Sequence, residues 1–123
     1  MSTLIDLPPK EVEKLLEKNV VMIDVRRPEE WSCTGVIKNA HKITFFDLYG
    51  NCDVPSWLAK FERLVTSKDQ QFVLICAHAN RTKTIGNFLI QNHGYTNVGH
   101  LAGGMAFWTD ENRDVFFEKE EEA

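Results

Sequence analysis

The residues Phe72-Val73-Leu74-Ile75-Cys76 constrain the fold of this chain most. Five apolar residues without polar alternation suit a strand covered on both faces, which is the signature of an interior strand in a parallel sheet. The flanking segments alternate in the matching way. Val20 to Val25 form a second apolar, β-branched run. Val12, Leu15 and Leu16 follow helical spacing behind Pro8-Pro9, and proline suits a helix start. Trp57, Phe61, Leu64 and Val65 mark another helical face, over residues 54–65. Ile85, Phe88 and Leu89 mark the inward face of a helix over residues 82–92, ended by Gly94. Short strands are expected at residues 3–6, 40–43 and 95–101. Residues 26–34, with Pro28, read as a loop leading into a helical turn, and residues 45–53 as a loop or broken helix. Gly103-Gly104 turn into a short helix carrying Met105 and Trp108. Strands alternating with helices predict an α/β fold with a central parallel sheet and helices on both faces.

The chain is 123 residues long, the size of one domain, with a core expected over about residues 3–110 and an acidic tail over about 114–123. A 43% apolar and 26% charged composition excludes a disordered or fibrous chain. No apolar run approaches the roughly 18 residues of a membrane span. The net charge of −4 argues against a nucleic-acid partner, which needs a basic face. The first residues show no basic region followed by an apolar stretch, so no secretory leader is expected and a reducing cytoplasm is the expected compartment. Cys33, Cys52 and Cys76 are odd in number and widely spaced, which suits neither a disulfide framework nor a zinc site. His41, His93 and His100 show no metal-ligand spacing, and no metal or organic cofactor is expected.

The chemistry is concentrated in Cys76-Ala77-His78-Ala79-Asn80-Arg81-Thr82. Cys76 closes the best strand, and α/β sheets bind ligands beyond the carboxyl ends of their strands. The small residues after it let backbone amides curl into an anion nest, and the next helix adds its positive end. Arg81 adds a permanent cation with a fork suited to oxyanions. All three favour thiolate over thiol, so Cys76 reads as a nucleophile for an anionic substrate, with residues 77–82 binding that substrate. The competing reading is a small buried hydrophobe at a strand end. His78 is a neutral donor, a titrating group or simply a loop residue. Asp24 ends its strand and is expected to pair with a neighbouring arginine or backbone amides, while Arg26 either supports that arrangement or lines the pocket mouth. Trp31, Trp57 and Trp108 read as core or rim aromatics. Cys33 and Cys52 have no cationic cluster near them in sequence.

Three segments together resemble the single-domain rhodaneses. The six-residue loop from Cys76 to Arg81 is similar to the family's active-site loop. Ile23-Asp24-Val25-Arg26-Arg27-Pro28-Glu29-Glu30-Trp31 is similar to its first motif, and Leu101-Ala102-Gly103-Gly104-Met105-Ala106-Phe107-Trp108 to its closing motif. The resemblance implies a rhodanese-like fold and a sulfurtransferase. Cys76 would take sulfur from a small sulfur-containing anion, thiosulfate or polysulfide, and hand it as a persulfide to a thiol or another thiophilic acceptor such as cyanide. Related phosphatases and arsenate reductases use a loop one residue longer, and rhodanese-like interaction modules usually lack the cysteine. The sequence departs from the family pattern in four places, the first being one extra residue before Gly35. Val36 replaces a structural histidine. Ala77 stands where many relatives carry a basic residue. Ala79 stands where glycine is common, and alanine at positive φ carries strain of order 1 kcal/mol, so the backbone is expected to adjust there.

Overall fold

The computed structural model describes residues 2–117. Its elements, in chain order, are β1 (Ile5–Leu7), α1 (Pro9–Glu17), β2 (Val21–Asp24), α2 (Pro28–Thr34), β3 (His41–Lys42), α3 (Val54–Leu64), β4 (Phe72–Ile75), α4 (Asn80–His93), β5 (Val98–Leu101) and α5 (Gly104–Asp110). The strands form one five-stranded sheet in the order β1-β5-β4-β2-β3, and every pair is parallel. The apolar run that predicted an interior strand is β4, buried at all four positions between β5 and β2.

The side-chain period of two divides the core. Ile23, Phe72, Leu74 and Val98 meet Trp57 and Phe61 of α3 and Ile85 and Leu89 of α4. Met22, Val73, Ile75 and Leu101 meet Val12 of α1 and Met105 and Trp108 of α5. Helices therefore cover both faces, as the alternation predicted. On the first face an aromatic chain runs from Phe45 through Trp57, stacked on Phe61, to Phe72 and Tyr95. Two of the three tryptophans serve packing: Trp57 and Trp108 are buried, and their indole N–H groups donate to the carbonyls of Ile43 and Asp114.

Four local expectations need correction. Residues 28–34 form a true helix, because Pro28 starts it and the Glu30 carboxylate accepts the Arg27 backbone N–H. The helix expected from residue 82 begins at Asn80. The last strand begins at Val98 and not at residue 95. The chain past residue 110 returns to the domain: Val36 and Phe116 exchange both backbone hydrogen bonds, so residues 114–117 are no free tail. The acidic residues 118–123 lie outside the described residues. No helix among the described residues is long and apolar enough to cross a membrane.

Candidate active site

The carboxyl ends of β2 and β4 lie side by side, with Asp24 paired in register with Ile75. Cys76 follows β4 directly, and its side chain is 1% exposed. The backbone then turns through 77–79 into α4, and Ala79 at the helix start adopts φ 70° and ψ 0°. The backbone does not adjust away from the left-handed region, contrary to the expectation for alanine there. This conformation helps aim consecutive amides the same way. Among the described residues, the N–H groups of residues 77–82 find no acceptor in any turn, loop, cap or side chain. Six N–H donors without an acceptor therefore lie together at one loop and helix start. The strain also sets a prediction. Ala79→Gly removes about 1–2 kcal/mol of left-handed cost and gives back roughly half of it in unfolded-state entropy. Thermal unfolding should therefore show a Tm about 2–4 °C higher for Ala79→Gly than for the wild type.

The loop is clamped from two sides. On one side α5 packs against it, and the amides of Met105 and Ala106 donate to the carbonyls of Cys76 and Ala77 at 2.8 and 3.0 Å. Only glycine permits this approach at position 104, where φ is 63° and a Cβ would lie 2.4 Å from the Ala77 carbonyl. On the other side Arg81 reaches across to α2. Its two terminal nitrogens each donate to one oxygen of Glu30, both at 2.7 Å, a bidentate pair.

Arg81 is thus not a free cation at the loop mouth, as the sequence suggested. The Glu30 hydrogen bonds hold its guanidinium above its ordinary value, against burial, and the charges of Glu30, Cys76 and Asp24 add to this. Burial pushes the Glu30 carboxyl up, but the Arg81 hydrogen bonds, the Arg27 amide and both cations outweigh it and hold it below its usual range. A depressed folded value means stability present above the ordinary glutamate range and lost as pH falls through the depressed value. The Tm gap between wild type and Glu30→Gln should therefore be open at neutral pH and close between about pH 5 and pH 3.

Asp24 and Arg26 support this clamp from below. Arg26 is 1% exposed, so it does not line the pocket mouth. Its Nε and Nη2 donate to the Asp24 carboxylate, and its remaining contacts are Nη1 to Thr34 Oγ1 and Nη2 to the Gly35 carbonyl, both at 2.7 Å. Thr34 in turn donates to the Glu30 carbonyl. The buried pair therefore anchors the end of α2, and α2 presents Glu30 to Arg81.

The remaining loop residues separate. His78 and Asn80 are exposed, and Ala77 and Ala79 are partly exposed. Thr82 is fully buried, with its hydroxyl 3.4 Å from Cys76 Sγ. The same hydroxyl lies 2.8 Å from Nδ1 of His100, and Nε2 of His100 meets the carboxylate of Asp6. Sequence reasoning missed Glu30 and this histidine. Glu30 is 51 residues from Arg81, and His100 precedes the closing motif in a strand whose sequence does not say what it will face. Cys33 and Cys52 are exposed free thiols. No group of three His, Cys, Asp or Glu side chains among the described residues is placed to hold a metal ion.

The sequence matches the rhodanese-like domain family over residues 8–111. The thiosulfate sulfurtransferase GlpE of Pseudomonas fluorescens is 22% identical over 108 residues, which are 88% of this chain and 87% of that protein. Among solved structures, a rhodanese-related protein from Thermoplasma volcanium superposes with a TM-score of 0.70 at 25% identity, covering 93% of this chain and 99% of that one. The polysulfide-sulfur transferase homodimer from Wolinella succinogenes superposes with a TM-score of 0.71 at 22% identity, covering 98% of this chain and 83% of that one.

Proposed function

The chain belongs to the rhodanese-like domain family, and from that premise we propose that it is a sulfurtransferase carrying sulfane sulfur on Cys76, with polysulfide as its better donor. The observation that carries this reading is the nucleophile's setting: a cysteine at the end of the central strand, followed by six backbone amides with no acceptor of their own.

The Cys76 thiolate attacks the terminal sulfur of a polysulfide anion. A bond forms between Sγ and that sulfur, the neighbouring S–S bond breaks, and its electron pair leaves on a polysulfide one sulfur shorter. The product is a Cys76 persulfide whose terminal sulfur carries negative charge. The amides of residues 77–82 hold that charge by preorganised electrostatics, with no reorganisation during the step. An acceptor thiolate then attacks the same sulfur, and the Cys76 thiolate is the leaving group. Two half-reactions through a covalent intermediate give ping-pong kinetics. The donor and the acceptor bind as small thiophilic molecules, and no step uses a metal or an organic cofactor.

Donor choice follows from charge. Thiosulfate and polysulfide are both dianions, but thiosulfate concentrates its charge on a compact oxyanion head and gains most from a free cation at the loop. Ala77 and Ala79 contribute none, and the Arg81 charge is matched by Glu30 at 2.7 Å. Neutral amides remain, and these suit a soft persulfide anion.

Intact mass after incubation with each donor tests both parts of the reading. Polysulfide should add one sulfur, located on the peptide that contains residue 76, and should do so faster than equimolar thiosulfate. Faster loading by thiosulfate would overturn the donor preference. No gain from either donor would overturn the sulfurtransferase reading.

A further inference from the structure

We infer that His100 is a positioning residue that takes up the Cys76 proton through the hydroxyl of Thr82. Cys76 is buried, and its thiol must lose a proton before it can attack. The only polar side chain that touches Sγ among the described residues is Thr82, at 3.4 Å, and a threonine hydroxyl is no base. The hydroxyl leads to one. Asp6 and His100 are register partners on β1 and β5, so both side chains leave the same face of the sheet, the face that α4 covers. There the ring bridges Asp6 and Thr82.

The hydrogen-bond directions follow from chemistry. The Asp6 carboxylate accepts, so the ring proton sits on Nε2 and the lone pair on Nδ1 faces Thr82. The Thr82 hydroxyl proton has two acceptors in reach, the Ala79 carbonyl at 3.2 Å and Nδ1 at 2.8 Å; in the relay it goes to the nearer Nδ1, which leaves its oxygen to accept the Cys76 S–H. When the thiol ionises, its proton passes to Thr82 Oγ1 as the hydroxyl proton passes to Nδ1. The neutral pair of thiol and imidazole becomes thiolate and imidazolium. No other bond changes and no oxidation state changes. Thr82 now donates to the thiolate, and the imidazolium lies against the Asp6 carboxylate. Asp6 is 79% exposed, and both Asp6 and His100 line an open groove beside α4, so the proton has a way to solvent.

The charged groups around the relay are few. Besides Asp6, Lys83 of α4 lines the groove, as does the Tyr95 phenol, while Leu74, the register partner of His100 on β4, brings no charge. Near Cys76 the cation is Arg81, already paired with Glu30. The inference rests on the sulfurtransferase reading only in taking Cys76 as the nucleophile.

Alkylation of Cys76 by iodoacetamide tests the relay without any sulfur donor. The background is Cys33→Ser with Cys52→Ser, so that intact mass reports one thiol. At about pH 7, His100→Phe should slow alkylation at least about tenfold, a threshold set below the roughly hundredfold low end of a general-base contribution. At about pH 9.5, where ordinary thiols ionise unaided, the same variant should stay within about twofold of the parent. His100→Gln, which keeps a polar contact but cannot take a proton, should be as slow as His100→Phe at the lower pH. Asp6→Asn removes the carboxylate at an exposed position and should lose about threefold at the lower pH only. If His100→Phe does not fold, the glutamine and Asp6 variants decide the matter. Equal slowing at both pH values, or full rescue by glutamine, would overturn proton uptake and leave His100 a packing residue. Sulfur loading by the parent protein is scored separately, so a failed relay and a failed sulfurtransferase give different results.

Discussion

Cys76→Ser is expected to remove sulfur loading altogether, a loss of at least about a thousandfold for any donor. The serine hydroxyl does not ionise at neutral pH, and an alcohol oxygen cannot form the S–S bond on which the persulfide depends. The fold should survive, because serine is smaller than cysteine and the Thr82 hydroxyl at the site offers it a partner. The measurement is intact mass after polysulfide treatment, together with turnover to a cyanide or thiol acceptor. Cys33→Ser and Cys52→Ser belong in the same series. Both thiols are exposed and neither belongs to the loop, so each variant should keep most of its transfer activity. A Cys76→Ser protein that still turns over would move the sulfur carrier to another residue.

The second large effect is expected at a residue that never meets the donor. Gly104→Ala places a methyl group 2.4 Å from the backbone of Ala77 and 2.6 Å from the Cys76 carbonyl. Backbone atoms cannot swing aside as a side chain can, so either α5 or the loop must move. Both anchoring hydrogen bonds, from Met105 to Cys76 and from Ala106 to Ala77, then lengthen together. The strained φ of 63° adds its own cost. A destabilisation of about 3 kcal/mol is expected in urea unfolding, from two net hydrogen bonds and one left-handed alanine. Loading of Cys76 should fall about a hundredfold even where the variant is folded, because a shift of about 1 Å in a preorganised site costs that much. A Gly104→Ala protein with wild-type loading would show that the loop does not depend on the α5 clamp.

The two alanine positions make a useful contrast. Ala79 already occupies the left-handed region that Gly104→Ala would force on a second alanine. The structure already accommodates the Ala79 methyl group, so the left-handed strain is the cost at issue there. At Gly104 strain and collision combine. Glycine substitution at the first and alanine substitution at the second should therefore move stability in opposite directions.

Local pattern carried much of this protein. Five apolar residues without alternation announced β4, because burial on both faces leaves no room for polar side chains. The i, i+3, i+4 spacings announced α1, α3 and α4, and Gly94 marked the end of α4, where its φ is 72°. The loop from Cys76 to Arg81 stood out because a strand end, small residues and a helix start are contiguous in the chain. Each of these signals involves residues within a few positions of one another. What lay beyond local pattern was pairing across the sheet. Arg81 and Glu30 stand 51 positions apart and His100 and Asp6 stand 94 apart, and nothing near any of them says which partner it will find. Those pairs follow from strand order and register: β1 lies beside β5 in parallel, which puts Asp6 level with His100, and α2 ends over the loop because Arg26 and Asp24 hold it there. The nucleophile and its loop could be found in the sequence, but the groups that neutralise its cation and face its thiol meet only when the sheet assembles.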